Sequence, residues 1–263
     1  MPRIGSRKLY ELVKQKVGPI AGFPGRDKFI DLLADNGLML KIRRRKHYKT
    51  TDSNHPYRRY PNLIKDRQFV EANQAWASDI TYVETQAGVC YLSLITDLYS
   101  RKIVGWELGD SLQAIHCLKA LQKALESLPD PRQACGLIHH SDRGCQYCCY
   151  EYVDKLRAHG VKISMTESGD PLENAVAERV NGIIKNEWLT TTEIRDLSDC
   201  RNRVSKAVEI YNEIRPHMSL GYQTPSTVHE QSGEQCRLWK TFSKRKAAGE
   251  AKEATKMPNG ISD

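Results

Sequence analysis

The chain of 263 residues is 40% hydrophobic and carries 40 Lys and Arg against 32 Asp and Glu, which gives a formal net charge of +8. This length accommodates one domain of ordinary size and a smaller unit. The sequence contains neither an apolar run of about eighteen residues nor an apolar signal-peptide core near its N-terminus. Composition therefore excludes a membrane-spanning or secreted class and predicts a cytoplasmic protein without a membrane partner.

The positive charge is concentrated near the N-terminus. Residues 1–70 contain 17 basic and 6 acidic residues, whereas the remaining 193 residues contain 23 basic and 26 acidic ones. This asymmetry predicts an electrostatic arm for a polyanion, and the stretches KIRRRKHYK and YRRY favour phosphate over the alternative of a solvated basic surface. The DNA-binding candidates within them are Arg43, Arg44, Arg45, Lys46, Arg58 and Arg59.

Two short amphipathic helices are predicted first, in SRKLYELVKQKV and RDKFIDLLADNGL. The second pattern ends on Asn36-Gly37, a helix C-terminal signal. With the basic stretch that follows, these helices predict a small DNA-binding-like unit at residues 1–50. Residues 51–72 are polar and contain prolines, which predicts a basic linker.

From residue 73 the pattern becomes that of a mixed α/β domain. WASDITYVET, VCYLSLITDLY and KIVGWELG predict an antiparallel meander of three strands, and a helix follows them. Next come a strand (GLIHHSD), a helix (QYCCYEYVDKLRAHG), a strand (VKISMT) and a helix at about 174–189. This order predicts a five-stranded mixed sheet flanked by helices. The core unit is assigned to residues 73–232, and the charged residues 233–263 predict a disordered tail.

Three acidic residues are predicted to converge in this layout. Asp79 lies within the first strand, Asp142 at the carboxyl end of the fourth, and Glu178 in the opening turns of the following helix. If the first and fourth strands lie side by side, their two acids share one edge of a crevice. Clustered carboxylates have raised pKa values unless a cation neutralises them, and a ligand set of oxygens selects Mg²⁺ or Mn²⁺. We expect two such ions, roughly 4 Å apart, to serve an in-line phosphoryl displacement.

Four further residues are candidates for supporting roles. Lys185 lies two helical turns beyond Glu178 on the same face, where it would meet a phosphate, although a solvated helix lysine is the alternative. Asn174 lies one helical step before Glu178. His140 would orient a metal-bound water or a phosphate, or else be a satisfied strand-end histidine. Asp97, which ends the second strand, is either a rival metal ligand or a structural acid.

The eight cysteines raise the alternative of a zinc site, because CQYCC contains a C-x-x-C pair just after His139 and His140. A structural zinc site normally needs four ligands in paired spacings, and the sequence offers no second Cys/His pair nearby. Buried thiols are therefore the favoured interpretation.

Several blocks in order resemble the OrfB-type catalytic protein of bacterial insertion sequences, a transposase whose core is related to retroviral integrase. They are WASDITYV, YLSLITDLYSRKIVGW, HHSDRGCQY, SGDPLENAVAERVNGIIKNE and YNEIRPHMSLGYQTPSTV, and they cover roughly residues 5–230. The 35 residues between Asp142 and Glu178 are the spacing typical of the Asp-Asp-Glu group. The resemblance implies an RNase H-like core preceded by a helix-turn-helix-like segment, with Asp79, Asp142 and Glu178 as the metal-binding catalytic triad.

The resemblance also implies a function. It is that of an Asp-Asp-Glu polynucleotidyl transferase, which performs metal-dependent strand cleavage and strand transfer during DNA transposition, integration and recombination. Its expected partners are element ends and target DNA, further copies of the chain, and an upstream-frame protein or frameshift fusion, in the nucleoid-associated part of a bacterial cytoplasm. The alternatives are an inactive DNA-binding relic or regulator and, less well supported, an RNase H-type nuclease.

Overall fold

The computed structural model describes residues 3–18, 22–40, 55–167 and 171–234 of the protein. Its centre is a five-stranded sheet in the order β3-β2-β1-β4-β5. The first three strands are antiparallel neighbours, whereas β4 runs parallel to β1 and β5 parallel to β4. The predicted mixed sheet, with its first and fourth strands side by side, is therefore confirmed. The strands are β1 (Ala75–Thr85), β2 (Gly88–Asp97), β3 (Ile103–Gly109), β4 (Ile138–Ser141) and β5 (Lys162–Met165).

The helices largely follow the predicted pattern, with two local differences. The helix predicted after β4 is divided at Cys149, whose ψ of 153° is extended, and the helix predicted to reach residue 189 changes to a π-helical turn at Lys185–Leu189. None of the described helices has the length and apolar character needed to cross a bilayer. The helices are α1 (Ser6–Val17), α2 (Arg26–Asp35), α3 (Ala114–Glu126), α4 (Cys145–Cys148), α5 (Tyr150–Ala158), α6 (Ala175–Ile184), α7 (Leu197–Glu213) and α8 (Pro225–His229).

The sheet buries apolar side chains on both faces because successive residues of a strand point in opposite directions. On one face, Trp76 and Ile80 of β1 belong to a cluster completed by α3, α4 and α5. On the other, Val83 of β1 and Leu92 of β2 belong to a cluster with α6 and α7. Each large apolar side chain buried in this way contributes about 1.5–3 kcal/mol. The sheet is thus a rigid platform covered by helices on both sides.

The two N-terminal helices pack through aromatic rings. The ring of Tyr10 lies 5.7 Å from that of Phe23 and 5.5 Å from that of Phe29, measured between centroids. The predicted C-terminal signal of α2 is confirmed, because Gly37 has a φ of +66°. The expected DNA-binding role of this unit stays a prediction. Its basic stretch, with Arg43, Arg44, Arg45 and Lys46, lies outside the described residues.

The described part of the predicted linker, residues 55–72, packs on the core and is called the strap below. The backbone N–H of Leu63 donates to Ser164 Oγ at 2.8 Å, and that of Met165 donates to the carbonyl of Pro61 at 3.3 Å. Aromatic and aliphatic side chains within the polar sequence explain the packing, because they bury against the core; they are Tyr57, Tyr60, Leu63, Ile64 and Phe69. The proposed domain boundaries stay predictions, and residues 235–263 of the predicted tail lie outside the described part of the chain.

A buried ion pair ties the segment after α7 to the end of the α6 helix. Arg215, which is 1% exposed, donates from Nε and Nη2 to the carboxylate of Glu187 at 2.8 and 2.6 Å. Lys8 of α1 joins this pair, with its Nζ 3.6 Å from Glu187 Oε1. Such a pair costs desolvation but holds its partners in one geometry. It therefore connects α1, the π-helical turn and the C-terminal segment.

Candidate active site

Three segments meet where β4 stops pairing with β1. The described β4 residues pair with residues 75–77 of β1, and α6 contacts the part of β1 just beyond them. Asn174 Nδ2 donates to the carbonyl of Ser78 at 3.0 Å, and Asn181 Nδ2 donates to Asp79 Oδ2 at 2.8 Å. Asp142 directly follows the last residue of β4. The two strands and α6 thus each bring one of the predicted acids to this crevice.

The three acids act on one another electrostatically. Burial, the nearby carboxylate of Asp142 and, to a smaller extent, Glu178 raise the pKa of Asp79 to about 7. The hydrogen bonds from Asn181 and from the N–H of Ile80 oppose this shift. Partial burial and Asp142 also raise the pKa of Glu178. The structure therefore brings the predicted acids within electrostatic range of each other.

The chemistry of this donor set fits a hard divalent cation. Within the described ranges, no three His, Cys, Asp or Glu side chains are close enough to hold one ion as they stand. The carboxylates nevertheless destabilise one another's charge, and a cation offsets that repulsion. Glu178 is exposed in the first turn of α6, so its side chain has room to rotate towards Asp79 and Asp142. The residues present therefore fit Mg²⁺ or Mn²⁺.

Lys185 lies against β1. Its Nζ is 3.1 Å from the centroid of the Tyr82 ring, and burial lowers its pKa to about 8 while Glu84 acts in the opposite direction. Tyr82 is three residues beyond Asp79 on the same strand. The lysine is therefore half-buried beside the strand that carries the first acid, and its contact with phosphate stays a prediction.

His140 is enclosed between β4 and β5. Its Nδ1 is hydrogen-bonded to Ser164 Oγ at 2.8 Å. Burial lowers the pKa of His140 to about 4, against an opposite effect of Glu173. Its Nε2 is also buried but has no hydrogen-bond partner within the described residues, so only one ring nitrogen of His140 is satisfied and both interpretations of this residue stay predictions.

Asp97 is fully buried, and its carboxylate accepts hydrogen bonds from its own turn and from the distant Asn73. Its carboxylate accepts hydrogen bonds from the backbone N–H groups of Asn73, Tyr99 and Ser100 at 2.8, 3.1 and 2.7 Å. The Ser100 hydroxyl adds a fourth bond at 2.8 Å. These donors saturate the carboxylate and favour the interpretation of Asp97 as a structural acid, which stays a prediction.

The cysteines of CQYCC behave as thiols. Cys148 and Cys149 are buried, and Cys148 Sγ lies 3.6 Å from Met165 Sδ. Both neighbouring histidines are engaged elsewhere, since His139 Nε2 is 2.7 Å from Ser78 Oγ and His140 bonds Ser164. The described cysteines are all free, and the buried-thiol interpretation is confirmed for this pair.

Sequence reasoning missed two residues of this crevice. Asn181 is 3% exposed and holds Asp79. It lies seven residues after Asn174, so the repeat of two asparagines on one helical face was a signal that could have revealed it. Arg143 follows Asp142, and its buried Nε has no hydrogen-bond partner within the described part of the chain.

Comparisons with known proteins identify the relatives of this chain. Two family models described as integrase core domain match residues 70–171 and 159–225. The uncharacterized 31 kDa protein of insertion element IS600 from Shigella sonnei is 38% identical over 208 residues, which are 78% of this chain and 75% of that protein. The transposase for IS904 of Lactococcus lactis is 34% identical over 63% of this chain and 65% of its own length. The transposase InsF for IS3A of Escherichia coli is 35% identical over 62% and 57%.

The chain thus spans three quarters of the IS600 protein and less than two thirds of both transposases. Among solved structures, a chain of the simian T-cell lymphotropic virus intasome, in complex with the PP2A regulatory subunit B56 gamma, has a TM-score of 0.52 and 15% identity. That likeness covers 90% of this chain and 80% of the other.

The sheet order and this structural likeness define an RNase H-like fold, as predicted. The chain belongs to the family of bacterial insertion-sequence transposases with an integrase core domain. The resemblance stated from the sequence blocks is therefore confirmed.

Proposed function

We propose that the chain cleaves DNA strands and joins them to new sites during transposition of an insertion sequence, with Asp79, Asp142 and Glu178 as the metal ligands. The observation that carries this proposal is a set of three acids from separate segments, in which burial and the nearby carboxylate of Asp142 raise the pKa values of both Asp79 and Glu178. Clustered acids of this kind are typical of catalytic sites.

The residues around the acids have separable tasks in this reaction. Mg²⁺ or Mn²⁺ held by the carboxylates would polarise the phosphodiester and stabilise the attacking and leaving oxygens. Asn181 orients Asp79 through its amide, and Asn174 anchors the start of α6 to β1. Lys185, at the end of α6, supplies a cation for a neighbouring phosphate. Positioning and electrostatics therefore carry a transfer that needs no covalent protein intermediate.

The proposed substrates are the ends of the element and a target duplex. Water would attack a phosphodiester at an element end, and the freed 3′-hydroxyl would then attack the target. Bringing two ends together calls for at least two protomers, so we propose a homo-oligomer. An upstream-frame partner or frameshift fusion and a cytoplasmic, nucleoid-associated location stay predictions.

The test is nicking of DNA that carries the ends of the element, with Mn²⁺ or Mg²⁺, by the full chain and by Asp142→Asn. Asp110→Asn is the matched control, because Asp110 is an exposed acid at the start of the α3 segment, paired with His116 at 3.7 Å. We expect nicking by the wild type and the control and none by Asp142→Asn. Undiminished nicking by Asp142→Asn would overturn the assignment of the triad.

The same assay separates the two alternatives. An inactive DNA-binding relic would bind the ends without nicking them under any metal. An RNase H-type nuclease would cut an RNA–DNA hybrid and leave the DNA duplex intact. No described feature favours either alternative over a transposase.

A further inference from the structure

Tyr150, the first residue of α5, is 73% exposed. The ring of Tyr57, from the strap, meets it edge to face, with centroids 5.6 Å apart and planes at 87°. Tyr57 is itself partly buried against the core. A large exposed ring that is held by a second, anchored ring presents a flat apolar face whose orientation is already restricted.

This aromatic pair lies beside the segment that carries Asp142. The imidazole of His55 is hydrogen-bonded to the carbonyl of Arg143 at 2.8 Å, and Arg143 directly follows Asp142. Tyr57 is two positions after His55, so their Cα atoms are at most about 7 Å apart. Tyr150 is therefore linked through Tyr57 and His55 to the segment that carries Asp142.

The surroundings of the pair are basic. Arg58 and Arg59 are exposed on the strap, and the Arg58 guanidinium lies 5.2 Å from the Tyr60 ring. Tyr60 in turn accepts a hydrogen bond from Arg157 Nη2 at 3.1 Å. Arg157 is two helical turns beyond Tyr150, so the strap follows α5 along its length.

Two acids also lie on α5. Asp154 is 3.7 Å from Arg157, and Glu151 follows Tyr150. With Asp142 they make three acids, against Lys155 and four arginines at positions 58, 59, 143 and 157, so the surface has the net positive charge that a polyanion requires.

Arg143 supplies an independent observation. Its Nε is buried and has no hydrogen-bond partner within the described residues, although an unsatisfied buried donor is costly. An anion at this point would satisfy it. A phosphate of a strand that passes from Asp142 towards Tyr150 is such an anion.

We propose that Tyr150, supported by Tyr57, stacks on an unpaired base of the DNA strand next to the reacting phosphodiester, while Arg143 binds a phosphate of the same strand. This inference rests on the proposed function, because that function places the phosphodiester at Asp142. The base must be unpaired, since the faces of paired bases are covered by their neighbours in the duplex, whereas aromatic platforms bind single strands by stacking.

The stacking is tested with the full chain in the absence of divalent metal, so that no cleavage occurs. The probes are a blunt duplex and the same duplex with a single-stranded thymidine tail that carries 2-aminopurine at its junction. We expect Tyr150→Ala to weaken binding of the tailed probe by roughly 5- to 100-fold and to release the quenched 2-aminopurine fluorescence, with blunt-duplex binding unchanged. Tyr150→Phe keeps the ring and should bind like the wild type, as should Val89→Ala, which removes exposed apolar surface from β2.

Three outcomes would overturn the stacking. They are unchanged 2-aminopurine quenching in Tyr150→Ala, an equal loss of affinity for the blunt duplex, and a preference for an RNA tail over the DNA tail. Asp142→Asn should retain tail binding. Failure of the proposed function would therefore appear in the nicking assay alone, and failure of this inference in the binding assay alone.

The phosphate contact is tested by Arg143→Gln, with Arg195→Gln as the control arginine, since Arg195 is exposed at the opposite end of β1. The measured quantity is the slope of the logarithm of the binding constant for the tailed probe against the logarithm of the salt concentration. We expect Arg143→Gln to reduce this slope by about the amount that one phosphate contact contributes, and Arg195→Gln to leave it unchanged. An unchanged salt slope in Arg143→Gln would remove Arg143 from the proposed site.

Discussion

Asp79 and Asp97 lie on neighbouring strands of one sheet, in contrasting surroundings. Asp97 is completely buried, and backbone N–H groups of its own turn and of the distant Asn73 surround its carboxylate. Asp79 is partly buried, and its surroundings include two further acids, Asp142 and Glu178, which raise its pKa. Burial by itself therefore does not distinguish the proposed metal ligand Asp79 from Asp97. The groups around the carboxylate make the difference. Backbone N–H donors stabilise its negative charge within the fold, whereas neighbouring acids destabilise it unless a bound cation compensates.

The largest expected effect comes from Asp79→Asn. We expect metal-dependent nicking to fall by at least about a hundredfold, since even residues that merely support a metal ligand change activity by 10- to 100-fold. The free energy of unfolding without metal should stay the same or rise, because the amide removes a carboxylate that its neighbours destabilise. Parallel nicking and urea-denaturation measurements check both expectations. A large loss of stability in Asp79→Asn would contradict the proposed difference between Asp79 and the structural Asp97.

Asp97→Asn should show the reverse behaviour. The amide cannot accept all the hydrogen bonds that the carboxylate accepts, so we expect the protein to lose about 1.5–3 kcal/mol of stability. The variant that stays folded should nick DNA at close to the wild-type rate. Abolished nicking in a fully folded Asp97→Asn protein would mean that Asp97 belongs to the active site.

The next prediction concerns how the stability contributed by Asp79 depends on pH. The folded-state pKa of Asp79 is raised from 3.8 to about 7, so the folded metal-free protein binds this proton more tightly than the unfolded chain. Its contribution to stability is present below about pH 4 and is lost as the pH rises through 7. Buried His139 and His140, whose pKa values are lowered, act in the opposite direction.

The measurement is therefore the difference in unfolding free energy between the wild type and Asp79→Asn in EDTA. We expect the wild type to lose stability relative to Asp79→Asn as the pH rises between about 4 and 7, and Mg²⁺ to reduce this loss. A difference that is independent of pH would contradict the raised pKa.

Asn181→Ala should have the smallest effect of the series. It removes the amide that orients Asp79 and leaves all three acids in place, so we expect nicking to fall by about tenfold, with a higher Mg²⁺ requirement. Asn186→Ala is the matched control, because that side chain is exposed in the π-helical turn that follows α6. Equal effects of the two substitutions would show that Asn181 acts through the stability of the helix.

Periodicity in the sequence predicted the strands and helices because a residue's spacing along a strand or helix fixes the face it occupies. The alternating pattern of β1 and the helical pattern of α6 are examples. The break at Cys149 had no such signal, since neither proline nor glycine marks it and the apolar spacing continues across α4 and α5. No sequence pattern predicted the π-helical turn after Ile184 either. Its Glu187 is bound by the buried Arg215 of a distant segment.

The sequence by itself determined which acids were available for a metal site: Asp79 within a predicted strand, Asp142 at the end of another, and Glu178 in the opening turns of a helix. Tertiary structure alone decided which acid is satisfied and which is exposed to other acids. The physical reason is register, because β4 pairs with residues 75–77 and leaves Asp79 immediately beyond that pairing, next to Asn181. Asp97 is equally acidic in the sequence, but N–H groups of its own turn and of the distant Asn73 enclose its carboxylate, and the long-range contact with Asn73 cannot be read from the sequence pattern.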